Sequence, residues 1–156
     1  MKPLLLCLGN EIVSDDRFAF EVAVRLQVKN ELMNRVDIEA VSVAGFALLD
    51  LMNHRSRVLI VDTIQTGEVD PGTLSMFTDN HFIPSSHLTN SHQLSLPTSI
   101  EFGRELGYEI PKQIDILVVE AEDVFTLSEQ LTPAVEQAIP QAIAYIEQWL
   151  QSEVTA

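Results

Sequence analysis

Leu4-Leu5-Leu6-Cys7-Leu8-Gly9-Asn10-Glu11-Ile12-Val13-Ser14-Asp15-Asp16-Arg17-Phe18 decides the fold. The unbroken apolar run Leu4 to Leu8 reads as a strand buried on both faces, as in a parallel sheet, and Gly9-Asn10 ends it. The two adjacent carboxylates that follow, Asp15 and Asp16, then lie at the carboxyl edge of the sheet, where open α/β folds bind ligands. After them Phe18, Ala19, Val22, Ala23 and Leu26 recur at helical spacing, which predicts a first helix from about Asp16 to Asn30.

Outward from this stretch, the alternation of Val36 to Val43 predicts a second strand, nearer an edge than the first. Phe46, Leu49 and Met52 mark a short helix, and Val58-Leu59-Ile60-Val61 is a third strand ending on Asp62. Strand, helix, strand, helix, strand implies right-handed crossovers and a parallel sheet, so Asp62 shares a rim with the Gly9 loop. Leu74, Met76 and Thr78 alternate with Thr73, Ser75 and Phe77. The Gly67 to Gly72 connection is too short for a crossover helix, so this strand is expected to run antiparallel. Residues 79–95 are polar, hold His81, His87 and His92, and read as a surface loop. A helix from near Ser95 to Gly107 and a strand from Ile114 to Val119 follow. The last helix opens at Thr132-Pro133, with Val135, Ala138, Ile139, Ala142, Ile143, Ile146, Trp149 and Leu150 on one face and a kink or true start at Pro140.

The 156 residues fit one domain, taken here as 1–156, which buries about two-thirds of its unfolded surface. With 9 Lys plus Arg against 23 Asp plus Glu, the formal charge of -14 argues against nucleic acid or an anionic membrane as partner. Cys7, alone and inside an apolar strand, reads as a core residue in a reducing cytoplasm. The N-terminal apolar run is too short for a signal peptide or a membrane span, and no exposed apolar stripe demands a dimer, so a cytoplasmic monomer is expected.

The layout converges three side chains, Asp16, Asp62 and His92. Two oxygens and one imidazole nitrogen suit Zn, Ni, Co, Fe or Mn, with a position left for water or substrate. Each also has a plainer role. Asp15 reads as the cap of the first helix, Asp16 as a first-turn acid favoured by the helix dipole, Asp62 as a turn former and His92 as a solvated side chain. There is no Gly-x-Ser-x-Gly, and Ser91 and Ser95 have no identified base.

Leu8-Gly9-Asn10 with Asp15-Asp16, Val58-Leu59-Ile60-Val61-Asp62 and Ser91-His92-Gln93-Leu94 together resemble the hydrogenase maturation endopeptidases. Leu96-Pro97, Gly107, Leu131-Thr132-Pro133 and Ala138-Ile139-Pro140 extend the resemblance over nearly the whole chain. It implies a three-layer α/β/α sandwich on a mixed, mostly parallel five-stranded sheet with one antiparallel strand. It also implies a hydrolase, an aspartyl-type or metal-dependent endopeptidase, that trims the C-terminal extension from the large-subunit precursor of a nickel-iron hydrogenase. Nickel, delivered with the precursor, would be the recognition element, and the metal-contacting and catalytic positions fall on Asp16, Asp62 and His92, with no other cofactor. Arg17-Phe18-Ala19 and Ala44-Gly45-Phe46 stand where the family has Gly-Phe-Gly and Gly-Gly-Thr, and Arg17 brings a cation that could compete for Asp16. Two rivals are a receiver-like signalling domain phosphorylated on Asp62 and a non-catalytic scaffold of the same fold. A receiver places its acids directly at the strand end and carries a lysine after the last strand, where Glu120-Ala121-Glu122 stand here.

Overall fold

The apolar runs Leu4 to Leu8, Val58 to Val61 and Ile116 to Val119, too uniform to have a solvent face, become the centre of the sheet. The computed structural model describes residues 1–29, 31, 34–43, 45–78 and 96–152. Within them run β1 (Leu4–Leu8), a 3-10 turn (Ser14–Arg17), α1 (Phe18–Gln27), β2 (Asp37–Val41), α2 (Phe46–Met52), β3 (Val58–Ile64), β4 (Leu74–Phe77), α3 (Leu96–Glu105), β5 (Ile114–Glu120) and α4 (Pro133–Gln151). The strands stand in the order β2-β1-β3-β5-β4. β1 pairs in parallel with both β2 and β3, and β3 with β5, while β4 alone is antiparallel. Residues of β1 and β5 are buried throughout, whereas β2 and β4 at the edges are half-buried.

Strand alternation divides the core in two. Leu5, Cys7, Leu59, Val61, Leu117 and Val119 face α1 and α4. Leu4, Leu6, Leu8, Ile60, Ile116 and Val118 face α2 and α3. The result is the three-layer sandwich with one antiparallel strand. β1 is followed in the chain by β2 on one side and joined by β3 on the other, so the topological switch point lies between the carboxyl ends of β1 and β3.

Several boundaries differ from the sequence expectation, each for a local reason. The first helix opens as a 3-10 turn and is α-helical only from Phe18 to Gln27; Gln27, Val28 and Lys29 are exposed, Val28 at 77%. β2 stops at Val41, where Ser42 Oγ donates to the Gly9 carbonyl and diverts the chain from the ladder. β3 runs past Asp62 to Ile64, because its pairing with β5 continues to Ile64↔Glu120. β4 is antiparallel, as its short connection implies, and its partner is β5. Pro140 lies inside α4, which continues from Pro133 to Gln151. The segment read as a histidine-bearing loop, 79–95, lies outside the described residues.

Candidate functional site

The first loop reaches the switch point because residue 9 has no side chain. A Cβ on Gly9 would stand 2.2 Å from the Asp16 carbonyl oxygen, closer than any real contact, so only glycine lets the acid-bearing turn lie against the end of β1. The Asn10 N-H donates to that same carbonyl at 3.0 Å, and the Asp16 N-H donates to Val13 O at 2.9 Å. These two bonds fix the turn before any side chain acts.

Asp15 was expected to cap its own helix, and the structure corrects this. The side chain is fully buried and turns to the β5–α4 connection. Its Oδ2 accepts the N-H groups of Glu122 and Asp123, each at 2.9 Å, and its Oδ1 accepts the Thr132 N-H at 2.8 Å and the Thr132 hydroxyl at 2.9 Å. Thr132, expected to cap α4 with its side chain, spends its hydroxyl on Asp15 instead. Physically, a buried carboxylate needs several donors, and an unwound connection offers more unpaired N-H groups than a 3-10 turn does. Further ties join the same two segments: Asp15 N-H to Asp123 O at 2.9 Å, Ser128 N-H to Ile12 O at 3.0 Å, and a bridge between Val13 and Leu127.

Asp16, next in the chain, is half-buried and faces the other way, towards β3. The Thr63 hydroxyl donates to its Oδ1 at 2.9 Å, while the Thr63 N-H donates to Asp62 Oδ1 at 2.8 Å. Asp62 itself is fully buried and, by alternation from Val58 and Ile60, belongs to the face covered by α2 and α3. The two acids therefore meet one residue, Thr63, at the carboxyl ends of β1 and β3. Arg17 donates to Glu11 O at 3.0 Å and pairs with Glu21 at 3.5 Å, one helical turn on. Phe46, the other departure noted in the sequence, opens α2 and is 48% exposed.

His92 lies outside the described residues, as do His81 and His87. Among the described residues no three His, Cys, Asp or Glu side chains group closely enough to hold a metal ion. His54 is at the far side of α2, paired with Glu109 at 2.8 Å. Two further residues support the rim. One is Thr63, whose signal was a polar residue breaking a buried strand directly after Asp62. The other is Glu120, nearly fully buried, which accepts Thr66 N-H at 2.7 Å, Thr66 Oγ1 at 2.5 Å and Gly67 N-H at 3.3 Å, and so shapes the loop leaving β3.

Fold and site together define an α/β/α domain with a pair of buried or half-buried aspartates at the switch point of its sheet, a class built for binding at that edge. Residues 20–149 match the family described as HycI, hydrogenase maturation protease, and the chain belongs to that family of peptidases. It is 28% identical over 148 residues to the hydrogenase 2 maturation protease of Escherichia coli (strain K12), covering 94% of this chain and 88% of that protein. The hydrogenase maturating endopeptidase HybD from E. coli superposes with a TM-score of 0.78 at 27% identity, covering 97% of this chain and 93% of that one. HybD from Thermococcus kodakarensis shares the fold, with a TM-score of 0.68 at 19% identity over 96% of this chain and 99% of that one. The receiver reading falls with this membership, and the sheet agrees: receiver-type domains order their strands 2-1-3-4-5, whereas β5 here sits beside β3 and β4 runs antiparallel at the edge.

Proposed function

We propose that this protein is a cytoplasmic endopeptidase that removes the C-terminal extension from the large-subunit precursor of a nickel-iron hydrogenase. In this reading the precursor's own nickel is the recognition element, part of the substrate and not a resident cofactor. The observation that carries the reading is the meeting of Asp16 and Asp62 through Thr63 at the switch point of a maturation-protease fold. Two carboxylates are hard oxygen donors that suit a divalent first-row cation, and His92, a few residues before α3 in the chain, would complete a mixed oxygen and nitrogen set. Such an ion, when bound, supplies positive charge that polarises a carbonyl or lowers the pKa of a water.

The chain's own contribution is placement. Asp16 and Asp62 hold the precursor's metal-bearing end at the rim, and the buried β1 and β3 ends beneath them give that contact a rigid floor. Hydrolysis then adds the oxygen of a water to the scissile carbonyl carbon, breaks the C-N bond and leaves the proton on the departing amine. A cysteine nucleophile is not available: Cys7 is fully buried in β1, and burial pushes its thiol up to about 12.

The test is to incubate nickel-loaded and metal-free precursor with wild type and with Asp62→Asn. Wild type is expected to cut the loaded precursor alone, and Asp62→Asn to cut it at least about 100-fold more slowly, the scale of a lost positioning contact. Equal cleavage by the two proteins overturns the proposal. A wild type that cleaves neither precursor favours the scaffold reading.

A further inference from the structure

Thr63 has two donors, and both are used on the acids of the rim. Its N-H holds Asp62 Oδ1 at 2.8 Å and its hydroxyl holds Asp16 Oδ1 at 2.9 Å. The residue is itself 4% exposed and sits within β3, paired with Val119 of β5. Its backbone is therefore fixed by the ladder, and β-branching restricts its χ1. Asp16 arrives from the 3-10 turn and Asp62 from β3, so the two carboxylates share no backbone element. The atoms that tie them together are the N and Oγ1 of one rigid residue, only a few covalent bonds apart.

We infer that Thr63 is a positioning residue that sets the mutual orientation of the Asp16 and Asp62 carboxylates for the nickel carried by the precursor. This rests on the proposed function and adds to it a residue that touches neither metal nor peptide. Groups that orient metal-binding side chains in this way are worth about 10-fold to 100-fold in metal affinity. Valine is the discriminating substitution, since it keeps the shape and β-branching of threonine and deletes only the hydroxyl. Serine keeps the donor and loses a methyl group.

The experiment titrates Ni²⁺ calorimetrically into the full chain as wild type, Thr63→Val, Thr63→Ser, Asp16→Asn and Asp62→Asn. Thermal unfolding and cleavage of loaded precursor are followed in parallel. Thr63→Val is expected to weaken nickel binding about tenfold or more and to lower kcat/KM by a similar factor. Thr63→Ser should stay within about threefold of wild type, because a rotated serine hydroxyl can still donate. Should Thr63→Val fold poorly, Thr63→Ala against Thr63→Ser makes the same comparison at lower bulk. If both aspartate variants lose nickel but Thr63→Val binds it as wild type does, the positioning role is overturned while the site stands. A fall in Tm without a fall in the affinity of the folded protein overturns it equally, as that is what a merely structural bond would give. If the aspartate variants bind nickel like wild type, the functional reading fails and this inference with it.

Discussion

Asp15 accepts four donors from a fully buried position, while Asp16, the very next residue, is half-buried and accepts the Thr63 hydroxyl. Replacing Asp15 by Asn sets an amide NH₂ against N-H groups that have nowhere else to turn. The expected cost is about 2–4 kcal/mol, read as a lower urea midpoint. Because the turn carrying Asp16 loosens too, cleavage should fall further than the unfolded fraction explains. An unchanged midpoint would show that the clasp contributes nothing. Gly9→Ala acts on the same turn through sterics: the added methyl must displace the Asp16 carbonyl, at about 1–3 kcal/mol by the measure of overpacked cores, with activity again the more sensitive readout. Cys7 gives a pH prediction. Its thiol is held up at about 12 against an ordinary 9.0 by burial alone, so the folded state keeps the proton longer than the unfolded chain does. Its contribution to stability is full below pH 9, and it is lost as pH rises from there towards 12. At pH 8 a thiol reagent should label the denatured protein and leave the folded one unlabelled; rapid labelling of the folded protein would contradict its burial.

At the scale of elements, α4 is fastened at the end of the sheet away from the site. Trp149 Nε1 donates to Asp115 Oδ2 at 2.7 Å, and the Arg57 guanidinium lies 4.2 Å from the centre of the Trp149 ring while donating to Leu150 O at 3.1 Å. Arg57 immediately precedes β3 and Asp115 is the second residue of β5, so this clasp joins the last helix to the amino ends of two central strands. Trp149→Leu should cost about 3 kcal/mol or somewhat more, from lost aromatic burial and an Asp115 left with Gln113 Nε2, at 2.9 Å, as its remaining side-chain donor. Measured at a temperature where the variant is folded, kcat/KM should stay within about twofold of wild type, since additivity holds for distant sites. A larger loss would mean that the two ends of the sheet are coupled. The amphipathic face of α4 was legible in the sequence because spacing alone reveals it. The clasp was not, since neither Arg57 nor Asp115 looks unlike a solvated end-of-strand charge until the helix is laid over it. The antiparallel sense of β4 followed from its short connection, but its choice of β5 over β3 depends on which strand offers an open edge, a property of the finished sheet.

For the whole molecule, the strand order was the decisive arrangement, because it puts the ends of β1 and β3 side by side and leaves the switch point between them. The shared rim could be read from two apolar runs, two turn signals and the handedness of crossovers; the strand order could not. The place of Asp16 and Asp62 at this rim was legible for the same reason, each being an acid that follows a buried apolar run. Thr63 and the true work of Asp15 were hidden, since a hydrogen bond across the rim has no period in the sequence to betray it. In the proposed function, residues distant along the chain hold one cation at this rim. The most direct measurement is anomalous diffraction from a crystal soaked in a nickel salt. A single nickel peak about 2.0–2.2 Å from carboxylate oxygens of Asp16 and Asp62 and from a ring nitrogen of His92 is the predicted result. Nickel found only elsewhere on the acidic surface, with the switch point bare, would contradict the claim.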